Sequence, residues 1–406
     1  MMYECRNRLG ERIGHAYTKQ QAEEMIRHAN WLLDQKRGTP EYEQRVAREL
    51  KIAEDKSECM TGAGMDELSE AELEEAVEGV CVFARVSPEH KVRIVEALKK
   101  RGKMVAMTGD VINDAPSLKA ADVGIAMGKS GTDVARGAAD LVLTDDNFAT
   151  IEKAMKEGRG IYENIRKTIL FLLSSNFGEI ITMLAGILAG FPAPLKASHI
   201  LWVNLITDSL PALALGVDKN DGEALMKEPP RKKNDNMFSH GGLGCMLGYG
   251  VVIGVISLLA FLTVPYQELL RQELPVTLMN LEKILRLEGV LNKAQTHAFT
   301  VLGMSQLVHA IGMRDVNKSV FRMNHLENKY MLAAWGIGLS LQALVTEVPY
   351  FVELFGTSRL TLEEWGILGG LSTLPLVVHE LLVLSGRPDS KEPEEGKQKQ
   401  DQGSQK

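Results

Sequence analysis

Two apolar stretches, residues 169–190 and 195–217, follow one another with only residues 191–194 between them. Each is long enough to cross the roughly 30 Å hydrocarbon core of a bilayer as a helix. Both carry polar groups that a purely structural span avoids. The first reads Ser-Ser-Asn-Phe-Gly-Glu, with Asn176 and Glu179 three residues apart. The second reads Trp-Val-Asn-Leu-Ile-Thr-Asp, with Asn204, Thr207 and Asp208 at i, i+3 and i+4. On helices these spacings put each set on one face. A charged side chain at mid-membrane costs about 2.5–3.5 kcal/mol even on the lenient insertion scale. Two carboxylates with amide and hydroxyl oxygens, and no Lys or Arg beside them at that depth, suggest an oxygen cage for a hard cation such as Ca²⁺. The alternative is plain helix-to-helix hydrogen bonding, as polar residues in membrane bundles often provide. Five such residues on two facing stripes favour the cage. The short link also makes the two spans antiparallel neighbours, so that Glu179 and Asp208 are expected to face each other.

Length and composition bound the rest. The chain has 406 residues, enough for two or three domains. A mean hydropathy of -0.07 is too polar for an all-membrane protein. The apolar runs concentrate after residue 168, which predicts a soluble front and a membrane-embedded back. A net charge of -7 gives no argument for a nucleic-acid partner. Cys5, Cys59, Cys81 and Cys245 are scattered and form no CxxC, which argues against a disulfide framework or a zinc site. Residues 1–30 hold no apolar core of the kind a signal peptide needs.

Taken in order, residues 1–44 are polar and read as helical, with Thr18 as N-cap before 19–35, and no chemistry is visible in them. Residues 45–60 read as a charged helix and turn. From Val80 the pattern alternates: strands at 80–84, 103–107, 123–127 and 141–143, helices at 88–100, 112–120 and 132–138. Ser87 is the expected N-cap of the first helix, Pro88 its first residue and Gly102 its stop. Such alternation implies a parallel α/β sheet. Ligands bind outside the carboxyl ends of the strands in such sheets, where Thr108, Gly109 and Asp110 fall. A long helix over 147–167 runs into the first span with no linker composition between.

Four more apolar segments lie at 243–264, 297–313, 331–352 and 364–384. Clusters of Lys and Arg after the second, fourth and sixth spans place those loops beside the soluble domain. Six spans with both ends cytoplasmic are therefore self-consistent. In the opposite loop, 265–296, Leu281, Ile284, Leu285 and Leu291 suggest a helix lying at the membrane interface. Residues 386–406, rich in Glu, Lys, Gln, Ser and Pro, read as a disordered tail. The expected domains are thus an unassigned segment 1–44, an α/β domain with stalk helix 45–160, an all-α bundle of six transmembrane helices 161–385, and the tail.

The strongest signal in the soluble part is Thr108-Gly109-Asp110-Val111-Ile112-Asn113-Asp114-Ala115-Pro116. Asp110 and Asp114, four apart at a strand end, suit Mg²⁺ and a phosphoryl group, and Lys91 on the preceding helix suits phosphate charge. A bare Asp-x-x-x-Asp pair is more often surface charge; the strand-then-turn context is what raises it.

This run resembles the TGDGVNDAP hinge of P-type cation-transporting ATPases, whose phosphorylation domain has the haloacid-dehalogenase fold. Phe83-Ala84-Arg85-Val86-Ser87-Pro88-Glu89-His90-Lys91, Asp122-Val123-Gly124-Ile125-Ala126-Met127-Gly128, Gly131-Thr132-Asp133-Val134-Ala135 and Leu201-Trp202-Val203-Asn204-Leu205-Ile206-Thr207-Asp208 match as well. Together they most resemble the calcium-pump branch, of the sarcoplasmic-reticulum type and its bacterial relatives, over residues 45–385. The resemblance implies a partial haloacid-dehalogenase-like phosphorylation domain and a multi-pass membrane protein of the cell membrane. It implies that Asp110 binds the catalytic Mg²⁺, that Asn113 and Asp114 support the phosphorylation site, and that Lys91 contacts phosphate of ATP. It implies that Asn176, Glu179, Asn204, Thr207 and Asp208 hold the transported ion, Ca²⁺ before Mn²⁺ or a monovalent cation.

The sequence departs from the family pattern in three places. The DKTGT motif that carries the phosphorylated Asp does not occur, nor do the nucleotide-binding domain, the actuator loop or the first four spans. The chain therefore resembles the C-terminal half of a pump, with the bilayer and the N-terminal half as partners. Val111 stands where the family has Gly, and a β-branched residue cannot use positive-φ space, so strain is expected at the hinge. Gln306 stands in the fourth span where two-site calcium pumps place a Glu. Three functions compete: a pump portion active with its other half, a catalytically dead membrane protein with a binding or regulatory role, and a free-standing phosphatase. The last needs a nucleophilic Asp that the motif would have supplied.

Without that acceptor carboxylate, Mg²⁺ ligands alone cannot make an aspartyl phosphate. The isolated chain is expected to give no acid-stable, hydroxylamine-sensitive band after labelled ATP and an acid gel. A band that disappears in Asp110→Ala would overturn this.

Overall fold

The structure, a computed structural model, describes residues 3–6, 12–16, 56–229, 231, 235–239 and 241–385. The expected Thr18 cap, helix 19–35 and disordered tail 386–406 lie outside the described residues. The chain forms two compact units, residues 1–154 with 229–235, and residues 155–228 with 236–406.

In the first unit, the described pieces of 1–44 are strands rather than helix. β1 (Tyr3–Arg6) and β2 (Arg12–Ala16) pair antiparallel. There the polar composition masks short strand segments. Next come β3 (Cys59–Thr61), α1 (Gly62–Asp66), α2 (Glu70–Ala76), β4 (Val82–Ala84) and α3 (Pro88–Lys100). They are followed by β5 (Ala106–Gly109), α4 (Ala115–Ala120), β6 (Val123–Met127), α5 (Asp133–Ala138) and β7 (Leu141–Leu143). The expected single parallel sheet is two: β3 beside β4, and β5-β6-β7, all parallel. β3 falls where the sequence suggests a charged helix and turn, because three residues are too few for a period to register.

Local chemistry explains the boundaries. Ser87 accepts from the His90 N–H, and His90 Nδ1 accepts from the Ser87 N–H, closing a capping box with Pro88 at the first helical position. Gly102 has φ +78°, and the Lys103 N–H returns to the Leu98 carbonyl at 3.1 Å. Lys103 therefore belongs to the helix stop, and β5 begins at Ala106 rather than at 103. β6 reads Val-Gly-Ile-Ala-Met without alternation, because both faces are covered. Leu118, Ala126 and Ala135 pack together, and Ile125, Met127 and Leu143 form a separate cluster.

α6 (Phe148–Leu188) is one helix of 41 residues, about 60 Å long at 1.5 Å per residue, so only part of it can lie in a bilayer core. The second unit continues with α7 (Ala197–Trp202), α8 (Ser209–Gly216), α9 (Gly222–Lys227), α10 (Gly242–Arg271), α11 (Leu278–Leu285) and α12 (Glu288–Gly312). It closes with α13 (Lys329–Glu347), α14 (Pro349–Phe355), α15 (Leu362–Ser372) and α16 (Leu374–Leu384). α12 is the central post; it packs on α8, α10, α13, α15 and α16 and is buried without a break over 294–303. α10 meets α6 where Gly250 and Gly254 admit Phe177 and Ile181, a small-residue contact typical of membrane helices.

Among the described residues, three helical stretches are long and apolar enough to cross a membrane: 148–188, 242–271 and 362–384. A fourth counts if α13 and α14, bent by 83° at their junction, are one span. The expected span at 195–217 falls short because it breaks into α7, a π-helical turn and α8, and that at 297–313 because of its polar residues. Buried His199, Thr207 and Asp208 interrupt the first, and Gln295, His297, Gln306 and His309 the second. In α11, the helix expected at the membrane interface, Leu281, Ile284 and Leu285 are buried in the main core cluster.

A single carboxylate organises the end of the α/β sheet. Asp146, at φ +54°, accepts the N–H groups of Gly128, Lys129 and Ser130 at 2.7, 2.9 and 2.7 Å. These amides, led by that of Lys129, pull its pKa from the usual value down to about 2. A pKa depressed by folding gives stability that is present above the unfolded value near 4 and lost as pH falls toward about 2. Asp146→Asn keeps an acceptor and tolerates the left-handed backbone, so it isolates the charge. We expect faster amide exchange at 128–130 in the variant at pH 7, with the difference from wild type vanishing by about pH 2. An undiminished difference at that pH would refute the charge argument.

Candidate functional site

Two constellations of polar side chains stand out, one in each unit. In the first, β5 ends at Gly109 and the chain turns through Asp110 and Val111 into a 3₁₀ turn (Ile112–Asp114) and α4. Asp114 is buried and holds the turn from beneath. Its Oδ1 accepts Lys91 Nζ at 2.5 Å, and its Oδ2 accepts the Asp110 and Val111 N–H groups at 3.3 and 3.5 Å. A Cβ on Gly109 would sit 2.5 Å from the Asp114 Cβ, so only glycine lets the two segments close. Thr132 N–H donates to the Asp110 carbonyl at 2.9 Å and ties the turn to the start of α5. Asp110 and Asn113 are exposed. The structure thus brings Lys91 and Asp114 into direct contact. The Asp110 carboxylate is left at the carboxyl edge of the sheet, where an oxygen-seeking Mg²⁺ could be reached.

Val111 corrects an expectation. Its backbone is extended, φ -108° and ψ 163°, and the side chain is 46 % exposed. Nothing here requires positive φ, so the valine stores no strain.

In the second unit the sequence suggests one helix over 195–217. Instead, Val203–Thr207 winds as a π-helical turn between α7 and α8, and the Asp208 N–H reaches back to the Val203 carbonyl at 2.9 Å. Such turns collect at functional sites because they free carbonyls and re-aim side chains. This turn packs on both α12 and α13. Glu179, Thr207, Asp208 and Gln306 are buried, and Asn176 and Asn204 half-buried. The Asn204 amide donates to Glu179 Oε2 at 2.9 Å. Asp208 lies close enough to feel the Glu179 charge, and Gln306 faces Glu179. Glu179 Oε1, both Asp208 carboxylate oxygens and both Gln306 amide atoms have no hydrogen-bond partner. The Asn176 amide nitrogen instead donates to the Leu172 carbonyl on its own helix at 2.8 Å, leaving its oxygen as the only atom for a cation. Among the described residues no group of three or more His, Cys, Asp or Glu could hold a metal ion, so any cage here depends on amide and hydroxyl oxygens as well.

Sequence reasoning passed over two neighbours. Ser175, one turn before Glu179, and Gln342 on α13 are both buried with an unpartnered oxygen. The available signal was that Gln342 is the single amide in the apolar stretch 331–352. Elsewhere in the unit some buried polar atoms are also without a partner, among them His199 Nδ1, Ser257 Oγ and Gln295 Oε1, while others are paired. Arg314 donates to Asp218 at 2.8 and 3.0 Å, and Asn328 donates to Asp218 at 2.9 Å.

Comparison with known proteins follows this division. Residues 192–384 match the family described as cation transporting ATPase, C-terminus, and residues 15–122 match the haloacid dehalogenase-like hydrolases. The chain is 50% identical over 340 residues to "Calcium-transporting ATPase 1" of Bacillus cereus, covering 84% of this chain and 38% of that protein. It is 43% identical over 330 residues to "Calcium-transporting ATPase" of Bacillus subtilis, covering 81% of this chain and 35% of that protein. It is 35% identical over 344 residues to "Calcium-transporting ATPase 1" of Saccharomyces cerevisiae, covering 84% of this chain and 34% of that protein. The chain therefore spans just over a third of the length of these relatives.

The relaxed geometry at Val111 makes a prediction opposite in sign to the strain argument. Val111→Gly adds freedom to the unfolded chain and relieves nothing in the folded one. It should lower the stability of the α/β unit by about 0.5–1 kcal/mol, read as a lower thermal midpoint. A raised midpoint would restore the strain reading.

Proposed function

The chain belongs to the P-type cation-transporting ATPases of the calcium-pump branch, and we propose that it serves as the C-terminal portion of an ATP-driven Ca²⁺ transporter. Its membrane unit holds the cation, and its α/β unit supplies the Mg²⁺ and phosphate hinge. The observation that carries this reading is the pair of buried carboxylates, Glu179 and Asp208, with three oxygens lacking any partner. Unpaired carboxylates in an apolar bundle are costly, and a bound cation removes that cost. Oxygen donors without sulfur or imidazole suit a hard cation. Glu179 and Asp208 would supply the charge, Thr207 and the amide oxygens of Asn176, Asn204 and Gln306 the neutral part of the shell.

At the hinge, Asp110 is the carboxylate placed to hold Mg²⁺, and Asp114 acts from behind by fixing the Asp110 backbone and Lys91. Bound there, Mg²⁺ would offset phosphate charge. Lys91 would meet a phosphoryl oxygen by exchanging its bond to Asp114, and Asn113, exposed on the same turn, would support it. The nucleotide-binding part, the acceptor aspartate, the actuator and the remaining spans would come from the rest of the pump, which is the partner this portion works with in the cell membrane. On this reading the stretches 195–217 and 297–313 cross the bilayer despite their polarity, because their polar groups face the bundle. Six spans with both ends cytoplasmic then follow from the Lys and Arg clusters.

With the chain assembled with the remainder of the pump, Asp208→Asn should weaken Ca²⁺ binding by at least about tenfold in calorimetry, roughly 1.4 kcal/mol. An unchanged affinity would sink the cage.

A further inference from the structure

The oxygen shell around the two carboxylates does not end on the helices that carry them. Gln342, on α13, is 1 % exposed. Its Nε2 donates to Thr300 Oγ1 of α12 at 3.2 Å, which fixes the amide plane and turns the carbonyl the other way. That carbonyl, Oε1, has no partner. It points at Gly303 of α12: a Cβ there would lie 3.1 Å from Gln342 Oε1 and 3.9 Å from Thr207 Cγ2. Gln342 Oε1 and Thr207 thus flank the same bare patch of α12, beside the π-helical turn. Gln306 stands one turn further along that face, three residues on, and Asp208 follows Thr207. A buried carbonyl held by its own amide nitrogen and denied a donor calls for an unseen partner. Beside Thr207, whose chain neighbour is the buried Asp208, a cation answers that need better than a hydrogen-bond donor would.

We propose that Gln342 contributes a neutral carbonyl oxygen to the cation site, directly or through one water, making α13 a fourth wall of the cage. The role is specific to this chain's pattern. Gln306 brings α12 an amide instead of a charge, and Gln342 restores an oxygen without restoring the charge. Gly303 is the positioning residue, since any side chain there would push the Gln342 carbonyl off the site. The inference rests on the proposed Ca²⁺ site and deepens it.

The test uses the full chain assembled with the remainder of the pump in lipid nanodiscs, with Ca²⁺ as the probe, read by calorimetry and by thermal midpoint with and without the ion. Gln342→Leu keeps the bulk and removes the oxygen. It is expected to weaken Ca²⁺ binding about tenfold and to shrink the Ca²⁺-induced rise in midpoint, while the midpoint without Ca²⁺ stays level or rises. Gln342→Glu, which restores an oxygen, should recover or exceed the wild-type affinity. Gly303→Ala should mimic Gln342→Leu. If wild type binds Ca²⁺, Asp208→Asn abolishes it and Gln342→Leu leaves it unchanged, Gln342 is no ligand and only this inference falls. A Gln342→Leu variant whose midpoint drops equally with and without Ca²⁺ also overturns it, because the residue is then structural. If wild type shows no Ca²⁺ binding, the parent reading falls and takes this one with it.

Discussion

Two carboxylates buried among apolar helices, with the Asn204 amide as their one hydrogen-bond donor and three oxygens unpartnered, are the constraint on which the membrane unit depends. An unpaired charge in such surroundings is tolerated only where something else repays it. Much of the local architecture serves that arrangement. The π-helical turn at Val203–Thr207 replaces regular helix where Asn204, Thr207 and Asp208 leave the backbone. α12 gives up apolar character to bring Gln306 and Thr300 into the interior, and it is packed on all sides because a polar helix cannot face lipid. Fully paired groups such as Asp218, Arg314 and Asn328 do the ordinary work of holding helix ends together. Unpartnered atoms also occur away from Glu179 and Asp208, at Ser257 and Gln295, so it is the presence of two carboxylates that sets Glu179 and Asp208 apart.

The α/β unit follows a similar rule with a different currency. Here backbone amides seek acceptors, and single carboxylates supply them. Asp114 gathers Lys91 and two hinge amides, and Asp146 gathers three amides beyond β6. Each fixes a loop at one end of a parallel strand, where side chains can be presented to a ligand. Of the two hinge aspartates that the sequence reading offered to metal, Asp114 bonds Lys91 and the loop amides, and Asp110 is exposed.

Local signals were legible where they are short-range. The capping box at Ser87 and His90, the helix stop at Gly102 and the bounds of β6 and β7 follow from neighbours within a few residues. The five polar residues of the two adjacent apolar stretches also stand out locally, because charge inside an apolar run is conspicuous. Less was legible where the deciding contact lies far along the chain. β3 escaped because a three-residue strand is defined by its partner β4 rather than by its own pattern. The leucines of α11 look the same facing lipid headgroups or facing a core, and only the core cluster tells which.

The sequence by itself determined the family resemblance, the division into an α/β and a helical part, and the identity of the carboxylates, since these reside in residue type and spacing. Tertiary structure alone decided which oxygens are free. Val111 looked strained until its backbone proved extended, because a residue's φ is set by the turn it sits in. Gln342 looked like one polar residue in an ordinary span. It became part of the site only when Thr300 and Gly303, some forty residues away in sequence, were found to hold its nitrogen and make room for its oxygen. Spacing fixes what a side chain can offer; packing against distant helices fixes what is left for it to bind.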